Sequence, residues 1–260
     1  MTASAPARRD RIALELQAGC GREIVHWRDA LVRDGHTVVS AALGGEPRVF
    51  HWRHYPAGDV YDPASHAQYF YHAHPRDSRA AAHPGEHGHF HAFLRAHGLK
   101  AGARPLVMPE LAIAGHPAAP THAAPSAPAP AGEPDEAWVH LVAIAMDRAG
   151  RPLRLFTTNR WVTGETWYAA ADVAASLDRF AIGADAPTPL DRWITAMVGL
   201  FRPTIVRLLA ERDAAVMNFR RRRRGKVHVL EDRRLEIASW AAIDVDAEIR
   251  RVAVALRQVA

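Results

Sequence analysis

The stretches AQYFYHAH (residues 67–74) and HGHFHAFL (residues 87–94) decide the fold of this chain. Both alternate aromatic or aliphatic residues with histidine, a period of two that is typical of a β-strand with two different faces. Pro75 bounds the first stretch, and residues 75–86 are long enough to connect the two as an antiparallel hairpin. A helix over residues 87–99 stays open, because His87 and His91 are four residues apart. Gly88 and the alternation favour the strand.

The rest of the chain predicts helices at both ends and further strands between them. Apolar spacing indicates a helix over residues 9–34 and a second one over 190–217 that Pro203 interrupts. A last helix follows Asp244 or Asp246 as its cap. Strands are predicted at residues 36–43, 49–55, 138–146, 153–162 and 234–240, with a loop at 56–63. We expect an α+β fold: an antiparallel sheet of about five or more strands packed against N- and C-terminal helices.

One domain over residues 9–255 accounts for these elements. Residues 114–135 interrupt it with 8 alanines and 6 prolines among 22 residues, a composition typical of a disordered loop. Residues 220–226 form a basic connector after the second long helix. The strand pattern resumes directly after the alanine- and proline-rich loop, so we do not place a domain boundary there.

Composition excludes several classes of protein. The chain has 260 residues, 48% of them hydrophobic, and a single cysteine, Cys20. It therefore has no internal disulfide framework and no multi-cysteine metal site. The N-terminus lacks the apolar segment of a secretory signal, and no apolar run reaches the length of a membrane span. A cytoplasmic location without membrane contact is expected.

Histidine is the unusual feature of the composition. Ten of the 16 histidines lie within residues 51–97. Residues two apart in a strand face the same way, so a hairpin brings five imidazoles to one patch. We expect them to bind a transition metal, Zn, Fe, Cu or Ni, since such metals accept several imidazole nitrogens at one point. The predicted ligands are His72, His74, His87, His89 and His91. A metal-free acid–base site, or half-buried surface histidines without a function, are the alternatives.

Other residues could complete such a site. Glu86 directly precedes the histidine-rich strand and is the candidate catalytic carboxylate, although it could also be a ligand or could orient an imidazole. His51 and His54 are secondary candidates, of which a regular strand can direct only one to the patch. Asn159 and Arg160 are predicted to bind an anionic, small-molecule substrate. An edge strand protected by polar groups explains these two residues equally well.

Two other functions remain open. The net charge of +5 comes from one run, Arg220–Arg224 with Lys226, which could bind nucleic acid or an acidic partner. No aromatic side chains alternate with these arginines as in a nucleic-acid platform, so a solvated connector explains them better and nucleic-acid binding is not favoured. Haem held by one or two of the histidines is the other alternative. The sequence does not define an oligomeric state.

Four motifs together resemble a known family. They are HWRHYP (51–56), YFYHAHP (69–75), GEHGHFH (85–91) and LFTTNRWVTGE (155–165). This set resembles an uncharacterised bacterial domain of unknown function, best represented in proteobacteria, over roughly residues 10–255 without the proline-rich loop. The resemblance implies no activity and assigns no catalytic or binding residue, so the site is inferred from spacing and chemistry alone.

Overall fold

Six antiparallel strands form one sheet in a computed structural model that describes residues 5–46, 48–73, 85–106, 137–183, 186–223 and 228–259. Each strand pairs with the next one along the chain, in the order β1 to β6. The strands are β1 (Tyr55–Tyr61), β2 (Ala67–Ala73), β3 (Glu86–Arg95), β4 (Trp138–Asp147), β5 (Pro152–Thr158) and β6 (Ile237–Ala242). The α+β class and the antiparallel sheet are therefore confirmed.

Helices precede and follow the strands. They are α1 (Ala5–Arg33), α2 (Val38–Ala42), α3 (Arg160–Thr163), α4 (Ala170–Ser176), α5 (Pro189–Leu200), α6 (Arg202–Arg222) and α7 (Val245–Gln258). The predicted interruption before Pro203 separates α5 from α6, because proline cannot donate the backbone hydrogen bond that would continue α5. Asp244 caps α7 by accepting a hydrogen bond from the amide of Ala247.

The core lies between one face of the sheet and the helices α1 and α5. The Tyr69 hydroxyl donates to Asp191 Oδ1 at 2.6 Å, and the Phe90 ring lies 6.1 Å from the Trp193 ring. Helix α1 is joined to α5 where Gln17 Nε2 donates to the carbonyl of Leu200 at 2.7 Å. Because side chains alternate along a strand, the residues between these aromatic anchors point to the opposite face.

Two strand predictions near the N-terminus are wrong. Residues 36–43 contain α2 instead, because Thr37 and Ser40 form a reciprocal capping box that begins a helix. Residues 49–54 lie outside the strands, and β1 occupies most of the predicted loop at 56–63. Its proline and glycine fit there because the β1–β2 register is irregular between Tyr55 and Val60.

Other predicted boundaries shift for local reasons. Strand β5 ends at Thr158 rather than at residue 162, because the next residue caps α3. Arg220–Arg222 belong to the last turn of α6 and are not a separate connector. Residues 224–227 and the alanine- and proline-rich loop lie outside the described residues.

Within the described part of the chain, no single helix is long and apolar enough to cross a membrane. Helices α5 and α6 reach the required length and composition only as a pair, and they are bent by 69° relative to each other.

Candidate metal centre

Strands β2 to β5 place two rows of side chains on the sheet face opposite α1 and α5. In the first row, His72 lies opposite His89, then come Ala145 and Arg154. The second row runs Phe70, His91, Ala143 and Phe156. Since residues directly opposite each other in neighbouring strands have Cβ atoms about 5 Å apart, the histidines of the two rows meet.

His72, His89 and His91 form a buried triad, called the histidine triad below. One ring nitrogen from each lies within 4.8 Å of the other two. The closest pair is His72 Nε2 and His89 Nε2, at 2.7 Å. His72 is 9% exposed, and His89 and His91 are each 1% exposed. Three buried imidazoles directed at one point are the donor arrangement that a transition metal requires.

A carboxylate and a guanidinium lie behind His89. Glu86 Oε1 is 2.9 Å from His89 Nδ1, and Glu86 Oε2 accepts a hydrogen bond from Arg154 Nη2 at 2.7 Å. Arg154 pairs with Glu86 as an ion pair, so Glu86 is the acceptor and His89 Nδ1 is the donor. The Nε2 atom of His89 therefore carries the lone pair that faces the triad, as in a carboxylate–histidine–metal arrangement.

A second imidazole, His140 on β4, lies behind His91. Its Nε2 is 3.0 Å from His91 Nδ1. Burial, together with the positive charge of Arg212, lowers the pKa of His140 to about 3, although a hydrogen bond to the backbone of Val142 acts in the opposite direction. His140 is thus a neutral ring that donates to the backbone and accepts from His91 on its other nitrogen. This directs the Nε2 lone pair of His91 towards the triad.

His54 lies beside the triad with its own carboxylate. The His54 ring stacks on Phe70 at 3.6 Å and is 6.0 Å from the His72 ring, measured between centroids. His54 Nδ1 is 2.9 Å from Asp59 Oδ1, and Asp59 Oδ2 accepts a hydrogen bond from Gln68. His54 and Asp59 are both buried. Of the two secondary candidates, the fold therefore brings His54 to the triad, whereas His51 is exposed in a turn.

Residues 18–243 match the family model of a domain of unknown function, DUF6969. The chain belongs to this family. All strands of the sheet, the histidine triad and its supporting side chains lie within the DUF6969 match. No curated protein and no solved structure matches the chain.

Two of the predicted ligands, His74 and His87, are not among the three histidines of the triad. His87 Nδ1 is 2.7 Å from the hydroxyl of Tyr71, a residue of the helix-covered core. The β3–β4 register shifts between Glu86 and Gly88, and this irregularity turns Glu86 rather than His87 towards His89. His74 lies outside the described residues.

The predicted substrate residues, Asn159 and Arg160, contact a part of the domain away from the triad. Asn159 caps α3 through Oδ1, and its Nδ2 donates to the carbonyl of Val229 at 2.8 Å. Arg160 pairs with Glu231. In the described residues, both side chains thus hold the 3₁₀ turn at Val229–Glu231, and their binding of a substrate stays a prediction.

Sequence reasoning missed His140, Arg154 and the pairing of Asp59 with His54. His140 and Arg154 each interrupt an apolar strand with one polar residue, which was the available signal. His140 contacts His91, and Arg154 contacts Glu86, only because β3, β4 and β5 pair in this register. Asp59 lies in the segment that was predicted to be a loop.

Proposed function

We propose that the protein binds one transition-metal ion through His72, His89 and His91. The observation that carries this proposal is the convergence of three buried ring nitrogens within 4.8 Å. Support comes from the hydrogen bonds behind them, since Glu86 and His140 each fix the orientation of one imidazole.

The distances fit a metal after a small movement. Two nitrogens bound at about 2.0 Å to a tetrahedral metal are about 3.3 Å apart. His72 Nε2 and His89 Nε2 are 2.7 Å apart, so the two rings need to separate by about half an ångström to accept an ion. A small rotation of His72 provides this separation, and His89 can keep its bond to Glu86.

The donor set suits a catalytic centre better than a structural one. Three imidazoles leave at least one coordination position for water or substrate, whereas structural zinc sites are closed by four protein ligands. A set without thiolates is compatible with Zn, Fe, Cu or Ni. When bound, such an ion supplies Lewis acidity and an acidified water molecule. We also propose a cytoplasmic location, because one cysteine permits no internal disulfide.

We propose a metalloenzyme that acts on a small polar substrate. Glu86 then positions His89 and is not itself a proton donor, because both of its oxygens accept hydrogen bonds. The pair His54 and Asp59 is the better candidate for moving a proton. Asp59 holds the His54 ring by Nδ1, which leaves Nε2 to exchange a proton with a group beside His72.

Elemental analysis of untagged, desalted protein tests the proposal. The wild type should hold about one metal ion per chain, and the double variant His72→Ala/His89→Ala should hold none, because one remaining imidazole cannot retain an ion. The matched control is His36→Ala/His97→Ala, which removes two exposed histidines and should keep the metal. Wild-type metal content in the His72/His89 variant, or no metal in reconstituted wild type, would refute the proposal.

A further inference from the structure

Arg154 has a hydrogen-bond donor that the protein leaves unused. Its Nη2 donates to Glu86, but its Nη1 is buried and has no hydrogen-bond partner among the residues that the structure describes. The residue is 6% exposed, so bulk water does not solvate this atom. Buried guanidinium groups normally satisfy their donors, and a buried one that does not marks a place where a ligand can supply the acceptor.

The guanidinium lies beside Glu86, the carboxylate that contacts one ring of the histidine triad. Arg154 lies in the same row of the sheet as His89, with only Ala145 between them. Its side chain reaches over Ala145 to Glu86, which in turn contacts His89. The guanidinium carbon also lies 4.8 Å from the centre of the Phe156 ring, which holds the group against the sheet.

The face between the triad and Arg154 carries small side chains. Ala143 and Ala145 contribute only methyl groups to it, and the Phe156 ring lies at its edge, 5.0 Å from the His89 ring between centroids. A small ligand could therefore contact the metal and the guanidinium together. The alanines alone would not indicate a site, but here they adjoin both a donor without a partner and three converging imidazoles.

Charge indicates which ligand fits. A divalent ion and Arg154 bring three positive charges, and Glu86 offsets one of them. Asp59, a second carboxylate near the triad, is bound to His54 and Gln68. A planar guanidinium recognises carboxylate and phosphate oxygens especially well.

We infer that the metal centre binds a small oxyanion, a carboxylate or a phosphate group, whose oxygen accepts a hydrogen bond from Arg154 Nη1. This inference rests on the proposed metal binding and names the substrate class of that site. The sequence predicted that Arg160 binds the anion, but Arg160 is already paired with Glu231. We therefore assign this role to Arg154.

Cobalt(II)-loaded protein provides the test, because the visible absorption of cobalt responds when an anion enters its coordination sphere. Sodium phosphate and sodium oxalate are titrated separately into the wild type, Arg154→Met and the control Arg151→Met. Arg151 lies on the same hairpin, but its side chain is 80% exposed, so its removal changes the same charge away from the face. We expect Arg154→Met to raise the Kd of at least one anion about tenfold or more, and Arg151→Met to leave it within about twofold.

The outcomes separate this inference from the proposed function. If the wild type does not bind cobalt, the proposed metal site is contradicted. Cobalt that binds, with no spectral response to either anion or with equal Kd values in the wild type and Arg154→Met, overturns the inference and leaves the metal site intact. If Arg154→Met folds poorly or loses cobalt, Arg154→Lys repeats the test. It keeps the charge beside Glu86 but cannot present two donors in a fork, so the same direction of change is expected.

Discussion

Glu86 shows how one residue's role depends on contacts that sequence alone does not reveal. Its position before the histidine-rich strand predicted that it would lie near the histidines, and it does. Whether it would bind a metal, carry a proton or orient a ring depended on the irregular β3–β4 register. The structure shows it between His89 and Arg154, with each oxygen accepting one hydrogen bond.

Glu86→Gln should weaken metal binding by about 10- to 100-fold, the usual effect of losing a group that orients a ligand. The amide keeps the size of the side chain but removes the negative charge that polarises His89. Competition with a chromophoric chelator measures the change in Kd.

Glu15→Gln is the control for this variant, because Glu15 is an exposed partner of Arg11 on α1 and should not affect the metal. Equal metal affinity in Glu86→Gln and the wild type would mean that Glu86 serves only to hold Arg154.

Sequence reasoning identified the histidines that a regular strand pair brings together, and their role as metal ligands stays a prediction. His72, His89 and His91 follow from alternation in two strands and from their antiparallel pairing. His87 did not follow, because a period-two pattern contains no sign of a register shift. Arg154 and His140 could not be found in this way, since their place depends on the pairing of strands far apart in the sequence.

Among the helices and strands, segments with strong hydrophobic periodicity were predicted well. In one segment with only a weak preference for strand, a helix cap determined the structure instead. Strands β2, β3 and β4 and helix α1 were predicted close to their observed bounds. The segment Val38–Ala42 has β-branched residues, yet the capping box at Thr37 makes it helical. A capping box that spans four residues is enough to decide a five-residue element.

The pairing of β2 with β3 depends on Gly88. A Cβ built on Gly88 would lie 2.4 Å from the carbonyl oxygen of His72 and 2.6 Å from the Tyr71 hydroxyl. Backbone cannot move away as a flexible side chain can, so Gly88→Ala should lower the free energy of unfolding by about 1–3 kcal/mol. Urea denaturation measures this as a lower midpoint with an unchanged slope.

Gly183→Ala is the matched control, because a Cβ there meets only the end of the Arg192 side chain at 3.7 Å. Its stability should stay within about 0.5 kcal/mol of the wild type. A Gly88→Ala protein as stable as Gly183→Ala would show that β2 and β3 can separate without loss.

For the whole molecule, composition and pattern predicted the class of fold but not the neighbours across the sheet. The expected number of strands, about five or more, agrees with the six strands found among the described residues. The side chains that come together at the triad belong to β2, β3, β4 and β5. Assembling them requires three strand registers at once, and a sequence pattern specifies each register only weakly.

The free energy of unfolding should depend on pH through the protonation of Glu165. This carboxyl group is fully buried, and burial raises its pKa from 4.5 to about 7, although Arg212 and the amide of His140 act in the opposite direction. A raised pKa means that the folded protein holds the proton more tightly than the unfolded chain. The contribution is fully present below about pH 4.5, the pKa of an unperturbed glutamate, and is lost as the pH rises through 7.

Relative to Glu165→Gln, the metal-free wild type should therefore lose on the order of 3 kcal/mol of unfolding free energy between pH 4 and pH 8. Urea unfolding of both proteins at pH 4, 6 and 8 measures the difference, and subtraction removes the titrations that they share. A wild type whose stability relative to Glu165→Gln stays constant, or increases as the pH rises, would show that Glu165 is ionised throughout.

The order of strands in the sheet also has a consequence for how the protein is made. Because each strand pairs with its predecessor, all three histidines of the triad lie in one hairpin, which is translated before β4 and β5. If the proposed metal binding holds, a nascent chain could acquire the ion early, while His140 and Arg154 are still to be translated. Strands β2 and β3 would then select the metal. The strands added later would control which molecules reach it.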